Sequence, residues 1–129
     1  MTRIDTTLEE MKVEDSDWNF VFEYASNTGY GAEGTSINKI DNENVSTDWF
    51  SLKDVDKIIA SYEGENDGPD WLAVGQLKDK RYFFISAECD YTGWEWQAGG
   101  YVTVSNDLQK LIQFGITEDN KRTLGLTYK

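Results

Sequence analysis

Histidine is absent from this 129-residue sequence, and with it go the commonest general base at neutral pH, the commonest metal ligand and any charge-relay triad of the usual form. Cysteine occurs once, at Cys89, so no internal disulfide can form and a thiolate zinc site is excluded. With no activating partner in view, Cys89 reads as a small buried hydrophobe at a strand end rather than a catalytic thiol. No apolar run approaches the roughly 18 residues of a membrane span. Residues 1–10 contain no apolar stretch that could act as a secretion signal, which makes the cytoplasm the expected compartment. Bases are scarce as well: 12 Lys and Arg stand against 24 Asp and Glu, a net charge of −12. Binding to a phosphate backbone needs cations that displace counterions, so direct nucleic-acid binding is disfavoured, and so is an anionic membrane.

Aromatic side chains are plentiful, with five Trp, seven Tyr and six Phe to dominate a core. The hydrophobic content of 39% is that of an ordinary folded protein. The length suits one α+β domain over residues 1–129, large enough to fold without staples, with residues 1–15 a loose arm or an edge strand. The charge is segregated along the chain. Residues 1–70 hold 17 acids and 5 bases, a net −12, whereas residues 71–129 hold 7 of each, a net zero.

Ser16-Asp17 offers a helix cap, and Trp18, Val21, Phe22 and Ala25 follow at the i, i+3, i+4, i+7 spacing of an amphipathic helix. Residues 26–50 are rich in Gly, Asn and Ser and predict a long connection, interrupted at most by a short strand near Ile37–Ile40. Ser51 with Asp54 approximates a capping box, and Leu52, Val55, Ile58, Ile59 and Tyr62 would share one helical face. The turn formers of residues 63–69 would end that helix. Residues 71–77 and 81–87 predict a hairpin about a Lys78-Asp79-Lys80 turn. Residues 101–104 add a third strand, and a last helix capped by Ser105 or Asn106 carries Leu108, Leu111, Ile112 and Phe114, with Leu124 and Leu126 as anchors in a polar tail. The expected fold is an antiparallel sheet of three or more strands with two or three packed helices.

Three constellations bear on chemistry. Glu63, Glu65, Asp67 and Gly68 match the opening of a calcium loop, but the position for its bidentate Glu is Val74, inside the predicted strand, so an acidic turn is the better reading and no metal is expected. Glu88, Asp90 and Glu95 flank aromatics as paired carboxylates do in sugar-processing sites, yet acids beside Trp are common and spacing alone cannot set two carboxyls across a cleft. Residues 90–100 are the most unusual stretch. Gly93, Gly99 and Gly100 permit close backbone approach, and Tyr91, Trp94 and Trp96 supply either a recognition loop or plugs for the core.

The runs Glu63-Gly64-Glu65-Asn66-Asp67-Gly68-Pro69-Asp70-Trp71 and Cys89-Asp90-Tyr91-Thr92-Gly93-Trp94-Glu95-Trp96-Gln97-Ala98-Gly99-Gly100, with residues 108–115 after them, resemble a set of small acidic proteins from bacterial genomes and their phages. The likeness covers residues 50–118 and implies a bacterial or phage origin. No activity is established for that set, so the resemblance implies no catalytic residues. Those proteins carry a cysteine where this chain has Trp96, and no role of that cysteine transfers.

The expected function is binding without catalysis and without a cofactor. An acidic interaction module, of inhibitor, antitoxin or immunity type, would dock on a basic protein surface through Asp41, Glu43, Asp48, Asp54, Asp56, Glu63, Glu65 and Asp67. Spaced carboxylates imitate a phosphate backbone, which makes a nucleic-acid-binding protein a natural partner. The alternatives are a small-ligand or peptide sensor using Tyr91, Trp94 and Trp96, an enzyme working through Glu88, Asp90 or Glu95, and charge that serves solubility alone.

Overall fold

In the computed structural model, which describes residues 2–6, 18, 21–22, 37–48, 50, 52–65, 68–89 and 98–126, the hairpin forms as the pattern predicts. The first of its strands, Trp71–Leu77, pairs antiparallel with the second, Tyr82–Cys89, setting Trp71 opposite Ala87 and Gln76 opposite Tyr82. Six strands make one sheet: β1 (Thr2–Thr6), β2 (Ile37–Lys39), β3 (Val55–Tyr62), the hairpin strands β4 and β5, and β6 (Ala98–Ser105). Their order is β1-β3-β4-β5-β6-β2, antiparallel throughout except that β2 runs parallel to β6. Two helices follow, α1 (Leu108–Gly115) and α2 (Glu118–Leu124), giving an α+β fold. No helix among the described residues is long and apolar enough to cross a membrane.

Every residue of β4 except Gln76 is buried, as expected of a central strand covered on both faces. One face carries Val55, Ile58, Trp71, Leu77, Phe83, Ile85, Val102 and Val104 beneath Trp18, Val21, Phe22 and Phe50. Trp18, Val21 and Phe22 have helical backbone and are buried, in keeping with the stripe; Ala25 lies outside the described residues. Phe83 is the hub of this core, with ring centroids 6.0 Å from Phe22 and 5.3 Å from Phe50. The other face is smaller. Ala60, Leu72, Val74 and Phe84 pack there against Leu111, Ile112, Ile116 and Leu124 from the two helices.

Residues 52–62 correct the sequence expectation. Leu52–Asp54 is a single 3-10 turn and Val55–Tyr62 is a strand, not a helix, so the turn after it joins β3 to β4. The apolar spacing imitated a helix because irregularities between Val55 and Lys57, and between Ile58 and Ala60, break the period of two. Val55 and Ile58 therefore reach one core while Ala60 reaches the other. Gly75 makes room for the irregular strand: a Cβ there would lie 2.4 Å from the Lys57 carbonyl oxygen and 2.7 Å from Phe83 Cζ.

The caps differ too. Asp107, not Ser105 or Asn106, caps α1, its Oδ1 accepting from the amides of Gln109 at 2.9 Å and Lys110 at 3.2 Å. Ser105 instead completes β6, and its hydroxyl is buried. The polar tail contains α2, capped by Thr117 Oγ1 accepting from Asn120 N–H at 3.2 Å. Gly125 ends α2 at φ 73°, where the left-handed conformation lets Leu126 N–H return to the Lys121 carbonyl at 2.8 Å. Residues 2–6, expected as an arm or an edge, form the edge strand β1.

Candidate functional site

The sheet has two ends of different character. β3 climbs seven residue steps from Val55 to Tyr62, about 23 Å at about 3.3 Å per step. The Lys78–Lys80 turn, the start of β3 and the exits of β6 and β2 share one end, called here the hairpin end. The β3–β4 turn and the exit of β5 share the other.

Five of the expected partner-binding carboxylates, Asp41, Glu43, Asp48, Asp54 and Asp56, fall at the hairpin end, among Lys53, Lys57, Lys78, Lys80 and Arg81. Several of these residues hold structure together. Glu43 Oε2 accepts from Ser105 Oγ at 2.9 Å and from Asn106 N–H at 2.8 Å, tying the chain after β2 to the end of β6. Its Oε1 is buried with no hydrogen-bond partner among the described residues. The buried Arg81 guanidinium pairs with Asp79 at 3.0 Å, donates through Nη1 to the carbonyls of Ser46 and Asp48 at 2.9 Å each, and lies 6.0 Å over the Phe50 ring. The Asp54 carbonyl accepts from Lys78 N–H at 2.8 Å.

Glu63 and Glu65 stand at the opposite end, in a turn closed by Glu65 N–H to the Pro69 carbonyl at 2.9 Å and Gly68 N–H to the Glu65 carbonyl at 3.1 Å. Both are exposed, as is Glu88 near the exit of β5. The half-buried Asp70 joins them in front of β4. Asp67 lies outside the described residues, as do Tyr91, Trp94, Trp96, Asp90 and Glu95. The seven described contacts of the expected eight are thus divided between two places, and Glu88 and Asp70 belong with the second.

On the helix-covered face a polar chain that sequence reasoning missed begins at Asp70. Ser86 Oγ donates to Asp70 Oδ2 at 3.5 Å, and Tyr101 lies directly opposite Ser86 across β5 and β6. Burial pushes the Asp70 carboxyl above its usual value, with the Ser86 hydrogen bond opposing. Burial also raises the Tyr101 phenol; the Asp70 charge acts in the same direction, and the hydrogen bonds with Ser86 and Asn120 act against it.

The Tyr101 ring also borders an open groove of about 610 Å³ between β2, β6 and α1, where Asn38, Lys39, Asp41, Thr103 and Phe114 line the walls. Tyr101 and Phe114, at 36% and 65% exposure, are the exposed large hydrophobic side chains among the described residues. The signal for both was present. Phe114 lies off the Leu108, Leu111, Ile112, Gly115 stripe, and Tyr101 is out of phase with the inward Val102 and Val104. Among the described residues no three His, Cys, Asp or Glu side chains are gathered so as to hold a metal ion. Comparisons with family models, curated proteins and solved structures gave no match.

Proposed function

We propose that this protein is an acidic interaction module, of inhibitor, antitoxin or immunity type, that acts by docking on a basic surface of a partner protein and not by catalysis. Proteins that bind nucleic acid are its natural partners, since their basic surfaces already accept spaced negative charge. The observation that carries the reading is the grouping of Glu63, Glu65 and Glu88 as exposed carboxylates at one end of the sheet. Their strands, β3 and β5, are separated by β4 alone, about 10 Å across, close to the screening length of about 8 Å at physiological salt. A cation docked between the two strands would lie about 5 Å from each, inside that length, and would be attracted by both. Three of the seven cations of the C-terminal half are engaged locally: Lys121 pairs with Glu118 at 2.8 Å, Arg122 with Asp119, and Arg81 with Asp79. The chain's net charge of −12 supplies the long-range attraction.

Affinity capture from a bacterial lysate, with bound proteins identified by mass spectrometry, tests this. A basic partner should be retained at about 0.15 M salt and released near 1 M, where the screening length falls to about 3 Å. The Glu63→Lys, Glu65→Lys double variant should lose it while keeping the parent fold. Equal retention in high salt, or by the charge-reversed variant, would sink the reading.

A further inference from the structure

Among the described residues, the groove between β2, β6 and α1 gathers features not seen at the acidic end. The two large aromatic side chains exposed among the described residues, Tyr101 and Phe114, open into it, and the exposed Asp41 carboxylate stands in its wall. Its shape is set in advance. The Tyr101 ring is held edge-on by Phe84 at 5.8 Å. Gly115 lets α1 lie close against the sheet: a Cβ there would come within 3.2 Å of Thr103 Cγ2 and 3.3 Å of Ile40 Cδ1. Such prior ordering lowers the entropic cost of binding.

We propose that this groove receives an arginine side chain from the basic partner, its guanidinium stacked on Phe114 and Tyr101 and paired with Asp41. The inference rests on the docking reading and names its anchor. Charge complementarity selects the occupant. A molecule of net charge −12 enriches cations at its surface, and a wall of aromatic faces beside a carboxylate suits a cation over an anion or a neutral apolar residue. The cation already in the wall is directed elsewhere, Lys39 Nζ donating to the Glu43 carbonyl at 2.8 Å. Arginine fits better than lysine because the guanidinium is planar, weakly hydrated and able to stack while pairing with a carboxylate. Stacked arginines and aromatics are the residue types that carry binding energy at interfaces.

The test is a titration of the full chain, uniformly labelled with ¹⁵N, with the blocked peptide acetyl-Gly-Arg-Gly-amide and its neutral citrulline counterpart. The arginine peptide should shift the amides of Thr103, Phe114 and Gly115, and the citrulline peptide should bind more weakly. Phe114→Ala, a change at a largely exposed side chain, should weaken binding about fivefold. Asp41→Asn should weaken it by about half as much, and the Glu63→Lys, Glu65→Lys protein should bind the peptide within about twofold of the parent, being altered at the far end of the sheet. Equal binding of the two peptides, an unaffected Phe114→Ala variant, or the absence of shifts at the groove would overturn the inference. Shifts confined to the amides around Glu63 and Glu65 would do the same while leaving the docking reading in place. Failure of that reading appears separately, as a captured partner indifferent to salt and to charge reversal.

Discussion

The two ends of the sheet treat the same residue type in opposite ways. At the hairpin end, carboxylates sit among cations and hold the architecture: Glu43 secures the exit of β6, and Asp79 steadies the guanidinium that gathers the 46–48 backbone. At the other end Glu63, Glu65 and Glu88 project from strand termini into solvent. An acidic residue's charge is thus a poor guide to its role until its neighbours are known. Where a carboxylate accepts hydrogen bonds from buried donors its removal is felt in folding, and where it does not, in association.

The largest effect that would sharpen this contrast is at Arg81. Arg81→Ala should destabilise the fold by about 2–4 kcal/mol, because the Ser46 and Asp48 carbonyls lose their donor and the Phe50 ring loses its cover. Urea unfolding monitored by tryptophan fluorescence would measure it, and a loss below about 0.5 kcal/mol would show that the hairpin end is not pinned as described. Asp107→Ala, which removes the cap of α1, should cost about 1 kcal/mol in the same assay. The smallest effect lies at the acidic end and has the opposite sign. Burial holds the folded-state pKa of Asp70 above its unfolded value, so its ionised form opposes folding above that pKa, and the penalty fades as pH falls through the folded value toward the unfolded one. Asp70→Asn should therefore raise the melting temperature at pH 7 by no more than about 3 °C, since the site is partly solvated. The gain should vanish near pH 3, below the usual carboxylate range. A gain that grew on acidification would contradict the assignment.

Much of the architecture was legible because its signals were local. The β4–β5 hairpin announced itself through two apolar runs about Lys78–Lys80, and α1 through a clean stripe. β3 was not legible, since its irregular pairing is set by β4 and by the missing side chain of Gly75, a tertiary fact written 17 residues beyond Ile58. α2 escaped because a seven-residue helix with Leu124 as its buried apolar residue has almost no periodicity to display. For the site, the sequence marked the carboxylates without distinguishing the bonded Glu43 from the exposed Glu63 and Glu65, because the hydrogen-bond donors of Glu43 lie 62 and 63 positions away. The groove depends on three segments distant in the chain meeting, and composition carries no trace of that.

The pairing of β2 has a kinetic corollary. Ile37 aligns with Val102, so a large loop must close before this three-residue strand gains any ladder, and its parallel mate has to be in place first. β2 should therefore dock late in folding and detach early in native-state opening, ahead of β4 and β5. One wall of the groove would then be released more readily than the central strands, and an occupant bridging Asp41 and Phe114 would slow hydrogen exchange at Asn38 and Lys39 more than anywhere in those strands.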